Sequence, residues 1–167
     1  MNKRILFAIL AVGSLALVAT GCEKKENKSD DTTTTTTTTT AEKTLTCEMD
    51  EEDDGVKENS KYAFSWNGDK MEKIDLSMSF TYKDKYDEKD YKDAADECKK
   101  LLDSPHNGFT CNAQASGSKI YVTYSFTLAE LDEKSSKIAK YAGIDEVKDL
   151  AYDQVKSTLE KATFTCK

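Results

Sequence analysis

Residues 61–82 read KYAFSWNGDKMEKIDLSMSFTY, and the alternation within them decides the fold class. Ile74, Leu76, Met78, Phe80 and Tyr82 hold alternate positions, with Asp75, Ser77, Ser79 and Thr81 between them. Successive side chains of a strand point to opposite faces, so this run has one apolar and one polar face. Tyr62, Phe64 and Trp66 alternate in the same way, and Asn67-Gly68 between the two runs signals a hairpin. A two-residue Asn67-Gly68 loop would set Phe64 opposite Met71 and turn the aromatic face away from the Ile74–Tyr82 face. A slip of one residue reverses this, because the strand period is two. A bulge or a three-residue loop is therefore expected between Asn67 and Lys73.

Upstream of the hairpin, residues 44–49 alternate and read as a first strand. An acidic run from Asp50 to Asp54, closed by Gly55, reads as a solvated connection. Downstream, residues 87–102 read as a helix with Tyr91, Ala94, Ala95, Cys98, Leu101 and Leu102 on one stripe. Asp87, Glu88 and Asp90 suit its N-terminus, Lys99 and Lys100 its end, and residues 104–108 stop it. Residues 109–115 and 119–128 form a second hairpin around Ser116-Gly117-Ser118, with Ile120, Val122, Tyr124 and Phe126 facing inward. A helical stretch is expected over residues 128–141. Another begins at Asp145, with the stripe Val147, Leu150, Ala151, Val155 and Leu159. Residues 163–166 close the chain as a strand. The sum is an α+β domain: an antiparallel sheet built from hairpins and covered by two or three helices.

The N-terminal 22 residues, MNKRILFAILAVGSLALVATGC, set the expected compartment. Lys3 and Arg4 precede a 15-residue apolar stretch from Ile5 to Ala19, the length of a signal peptide core and short for a membrane-spanning helix. Ala19-Thr20-Gly21 before Cys22 looks like a lipobox, with Ala19 where leucine is more typical. On this reading residues 1–21 are a lipoprotein signal peptide, and Cys22 carries the acyl chains that hold the protein to the bilayer. Residues 22–43 then form the lipidated start and a polar tether containing nine consecutive threonines. Such a segment buries too little apolar surface to offset its ordering entropy. Residues 44–167 form the single domain, facing outside the cytoplasm.

Export makes the remaining four cysteines, Cys47, Cys98, Cys111 and Cys166, candidates for two disulfides. Of the three possible connectivities, Cys98–Cys111 and Cys47–Cys166 are preferred: the first links a helix to the next strand, the second ties the domain ends. No two of the four are closer than 13 residues and His106 is the sole histidine, so a zinc site is not expected.

The net charge of −7, nearer about −9 without the signal peptide, is opposite to what phosphate neutralisation needs, so nucleic acid is not an expected partner. Asp50, Glu52, Asp54 and Gly55 match positions 1, 3, 5 and 6 of a calcium-binding EF-hand loop. Position 12, which should be a bidentate glutamate, is Lys61, and the flanks read as strands. Ser116-Gly117-Ser118-Lys119 has the Ser-x-x-Lys spacing but lies in a hairpin turn without companion motifs. His106 sits in a Pro-His-Asn-Gly turn, where exposure is the plain reading. Tyr62, Phe64 and Trp66 could line a ligand groove or simply pack the hairpin. No catalytic motif, metal site or cofactor-binding pattern is present, and no enzyme or cofactor is expected.

The order of these features resembles the YehR-like lipoproteins, a family of small bacterial envelope proteins of unknown function. The matching features are the lipobox at Cys22, the strand of residues 61–66, Asn67-Gly68-Asp69-Lys70, the strand to Tyr82, Tyr91-Lys92-Asp93-Ala94-Ala95, and Gly143-Ile144-Asp145 before the final helix. The resemblance implies no catalytic residues and does not extend to the four domain cysteines or the threonine run. The expectation is a membrane-anchored, extracytoplasmic binding or interaction module with an unidentified protein or small-molecule partner. A wall-associated spacer is the alternative, and an envelope enzyme a further one.

Overall fold

The aromatic run 62–66 lies on the same face as the Ile74–Phe80 run, because one residue is bulged out between them. A computed structural model, describing residues 42–103 and 107–167, gives the register. β2 (Val56–Asn67) pairs with β3 (Lys70–Thr81), and Asn67 faces Lys70 across a Gly68-Asp69 turn. Trp66 faces Met71 while Ser65 faces Lys73, so Glu72 is the extra residue. The turn is thus shifted one residue from Asn67-Gly68. Gly68 has φ 63° at the first loop position, as a type II′ turn requires, and its fit to strand twist favours that placement. The bulge falls inside the interval where the alternation demanded one.

β1 (Glu42–Asp53) is longer than the expected strand at both ends and pairs with β2 along its whole length. The acidic run is therefore mostly strand, and a two-residue Asp54-Gly55 turn makes the connection. That dipeptide is a strong hairpin signal, which the density of carboxylates obscures in the sequence. β1 also begins at Glu42, two residues inside the stretch expected as tether. β4 (Phe109–Ser116) and β5 (Lys119–Thr127) form the second hairpin, and β6 (Thr165–Cys166) adds a short edge. The sheet order is β4-β5-β3-β2-β1-β6, with every pair antiparallel.

One face of this sheet is the core. Leu45, Phe64, Trp66, Ile74, Met78, Ile120, Val122 and Phe126 are all buried on it. The other face carries Ala63, Ser65, Asp75, Ser77, Ser79, Thr123 and Ser125, none of them buried. The core face is covered by α1 (Glu88–Leu101), α2 (Glu133–Tyr141), the one-turn α3 (Ile144–Val147) and α4 (Tyr152–Lys161), with a 3-10 turn at Leu128–Glu130. This is the α+β architecture expected from the alternation. Among the described residues, no helix is long and apolar enough to cross a membrane.

Two helices differ from the periodic reading. α1 turns Asp90, Ala94 and Cys98 inward and leaves Leu102 exposed at its C-cap, so its buried stripe is rotated from the expected one. Asp90 tolerates this because its carboxylate accepts a hydrogen bond from the Tyr82 hydroxyl at 2.8 Å. The expected helix from Asp145 is broken after Val147, and Ala151 caps a new one. The stretch 128–141 is likewise divided, because Asp132 starts α2 as its N-cap. Asp132 Oδ1 accepts the backbone N–H groups of Lys134 and Ser135, while Ser135 Oγ accepts that of Asp132. This reciprocal arrangement satisfies donors that a helix start leaves open.

Candidate functional site

The helices do not close completely over the sheet. Between α1 and α2 a narrow cleft reaches the sheet, enclosing about 30 Å³ at its base. Tyr62 of β2, Leu76 of β3, and Tyr124 and Phe126 of β5 form its floor. Glu97 and Leu101 of α1 make one wall, and Ile138 and Tyr141 of α2, with Ala142 and Ile144, make the other. Tyr141 stands at the rim with 62% of its surface exposed, a large aromatic left in water beside an apolar opening.

Two polar groups in this lining are not satisfied by the protein. Tyr124 is 4% exposed, yet its hydroxyl has no hydrogen-bond partner among the described residues. Glu97 is half-buried and forms no ion pair or hydrogen bond among them either. Buried polar groups are ordinarily paired, since leaving one unpaired costs about 1–3 kcal/mol. Burial pushes the Tyr124 hydroxyl up to about 12, and the neighbouring Glu97 carboxylate adds to the rise. Burial likewise holds Tyr62 above the usual tyrosine range, with a smaller contribution from Glu58. Both phenols therefore stay protonated at neutral pH and can donate. The surface of the cleft is almost wholly hydrocarbon, and its lining residues contain no nucleophile–base pair.

A larger, polar depression of about 380 Å³ lies beside β1 and the chain end, lined by Glu48, Met49, Asp50, Glu51, Thr163 and Thr165. Its polar groups are partly engaged: Glu48 pairs with Lys61, and the Thr163 hydroxyl lies 3.4 Å from the Met49 sulfur. Among the described residues, no three His, Cys, Asp or Glu side chains converge on a metal position. Asp50 and Glu52 lie along β1, with Asp54 in the turn beyond it. Ser116 and Lys119 face each other at the end of the β4–β5 hairpin.

The structure brings the domain cysteines together as Cys47–Cys166 and Cys98–Cys111, with Cα atoms 4.1 and 5.2 Å apart. The first staples β6 to β1, reinforced by reciprocal backbone hydrogen bonds between Thr46 and Lys167. The second fixes α1 against β4, and so holds one wall of the cleft. Cys22, the signal peptide, the threonine run and His106 lie outside the described residues. Of the aromatic trio considered for a groove, only Tyr62 lines the cleft; Phe64 and Trp66 are core. Glu97, Tyr124 and Tyr141 were not singled out by the sequence. A signal existed for Glu97: Ala94, Glu97 and Leu101 are spaced three and four apart, which places a carboxylate on an inner stripe.

The fold has solved counterparts. An NMR structure of a protein from Streptococcus pneumoniae superimposes with a TM-score of 0.53 at 16% identity, covering 89% of this chain and 99% of that one. The NMR structure of Escherichia coli YehR gives a TM-score of 0.51 at 11% identity, covering 75% of this chain and 91% of YehR. These likenesses establish a YehR-like fold. No protein-family model and no curated protein matches the chain.

Proposed function

We propose that this chain is a lipid-anchored, extracytoplasmic binding module whose recognition site is the cleft between α1 and α2. The observation that carries the binding reading is an apolar cleft that reaches the sheet between two helices and is rimmed by an exposed tyrosine. Small-molecule sites are concave and lined predominantly by apolar and aromatic side chains in this way. The absence of a nucleophile–base pair from the lining supports a non-catalytic role. The anchoring reading rests on residues 1–22 and on the two disulfides, which belong to oxidising compartments.

Each half has its own test. Intact mass of the native, non-reduced protein is expected to show loss of residues 1–21, added acyl mass on Cys22 and four missing thiol hydrogens. A Cys22→Ser variant is expected to leave the membrane fraction; firm retention there overturns the anchor. For the cleft, n-butanol titrated into the full-length chain in detergent is expected to produce saturable NMR shifts at Leu101, Ile138 and Tyr141. Shifts spread evenly over the surface overturn the cleft as a binding site.

A further inference from the structure

We propose that the outer edge of β4 is a self-association surface, on which a second copy of this chain lays its own β4 antiparallel and extends the sheet. β4 (Phe109–Ser116) is the last strand on its side of the sheet, with β5 as its neighbour. Ser116 faces Lys119 across the turn, and the Gly108 carbonyl accepts the Thr127 N–H, so Thr110, Asn112 and Gln114 direct their backbone groups to β5. Phe109, Cys111, Ala113 and Ala115 therefore turn their N–H and C=O groups outward, and no hydrogen-bond partner meets these among the described residues. Such a row templates further pairing, and proteins blunt it with charge, proline, a bulge or a very short strand. β4 uses none of these: FTCNAQAS has no charged residue in a chain that is 33% charged, it has no proline, and its register with β5 is unbroken. The opposite edge is guarded. β6 is two residues long and stapled by Cys47–Cys166, and β1 runs past it through Asp50, Glu51, Glu52 and Asp53.

The strand matches itself in one register that uses every outward group. Phe109 pairs with Ala115 of the second copy and Cys111 with its Ala113, each pair exchanging two backbone hydrogen bonds about a two-fold axis at Asn112. A shift by two residues leaves an outward pair idle. On the core face this register sets the large Phe109 beside a small alanine. On the outer face Asn112 meets Asn112, two amides that can each donate and accept, and Thr110 meets Gln114. Thr110, Asn112 and Gln114 are all exposed and uncharged, so a chain of net charge −7 meets its copy here without like charges opposed. This self-match selects a second copy over an unrelated extended segment, which the backbone groups alone would accept in any register.

The test is disulfide trapping in whole cells that produce the full-length chain. Asn112→Cys is expected to give a covalent dimer on mild oxidation, because opposed residues of such a pair stand about 4.5 Å apart at Cα, within disulfide reach. Thr123→Cys, one strand further in on the same face, is expected to stay monomeric. Thr110→Cys and Gln114→Cys are expected to cross-link to each other when co-expressed but neither to itself, since like residues then lie roughly 14 Å apart. Ala113→Pro removes an outward N–H and no bond to β5. Added to Asn112→Cys, it is expected to cut the dimer by about tenfold, as for two lost backbone hydrogen bonds. Intact mass showing both native disulfides verifies that each variant is folded. No dimer from Asn112→Cys overturns the proposal, and so does equal trapping through Thr123→Cys, which marks random collision. Trapping of Asn112→Cys on a different protein in place of its own copy overturns self-pairing, and a dimer insensitive to Ala113→Pro overturns strand addition.

Discussion

The indole Nε1 of Trp66 donates a hydrogen bond to the carbonyl oxygen of Leu150 at 3.3 Å, linking the sheet to the break between α3 and α4. The Leu150 carbonyl is thus used by a tertiary partner at the point where the expected helix is interrupted, and the Trp66 ring contacts Tyr152 at the start of α4. Trp66 is 1% exposed, so the indole has no water to turn to. Trp66→Phe keeps most of the packing, removes the donor and leaves a small void. It is expected to cost about 2–3 kcal/mol in urea unfolding followed by circular dichroism. A loss below about 0.5 kcal/mol would show that the helix break needs no such anchor.

The two disulfides close loops of very different length, with sequence separations of 119 for Cys47–Cys166 and 13 for Cys98–Cys111. On a chain-entropy basis they contribute about 5 and about 3 kcal/mol by restricting the unfolded chain. The paired serine replacements, compared in non-reducing urea melts, are expected to rank in that order. The reverse ranking would mean that fixing α1 against β4 matters more than loop entropy.

Gly108 has φ +70°, and a Cβ there would lie 2.7 Å from the backbone of Glu130, Leu131 and Thr127. Its carbonyl accepts the N–H of Thr127, so the chain cannot move away without losing that bond. Both the left-handed conformation and the clash oppose a side chain. Gly108→Ala is expected to destabilise by about 3 kcal/mol in the same assay. A change under 1 kcal/mol would show that this junction yields easily.

Asp132 is held well below the ordinary aspartate value of 3.8, chiefly by the backbone N–H of Ser135 and next by that of Asn107. A depressed carboxyl stabilises the fold above its unfolded value, and that contribution fades as pH falls through 3.8 and lower. Asp132→Asn retains one acceptor for the cap of α2 but sets an amide against the Asn107 N–H, which now donates to Oδ2. The variant is expected to melt lower than the parent at pH 7, with the difference shrinking towards pH 2. A constant gap across that range would exclude Asp132 from the acid response.

The alternation of residues 61–82 made the first long hairpin, its bulge and its buried face legible, because a period of two admits only one register that unites Trp66 with Ile74. The cysteine pairing was only a preference among three connectivities in the sequence, and the fold decides it by bringing Cys47 to Cys166 and Cys98 to Cys111. The cleft was not readable in this way. Glu97 looks like an ordinary helix surface residue, Tyr124 an ordinary core residue and Tyr141 an ordinary helix end. Their convergence depends on how α1 and α2 are spaced over the sheet.

The sequence by itself thus determined the hairpins, the apolar face of their alternating runs and the class of fold, since these follow from local periodicity and turn chemistry, but not that β1 runs on through the acidic stretch to Asp53. Only the tertiary structure decided where the helices break and where they stand apart. Those features arise from contacts between distant residues, such as Trp66 with Leu150 or Tyr82 with Asp90, and no local pattern encodes the distance between them.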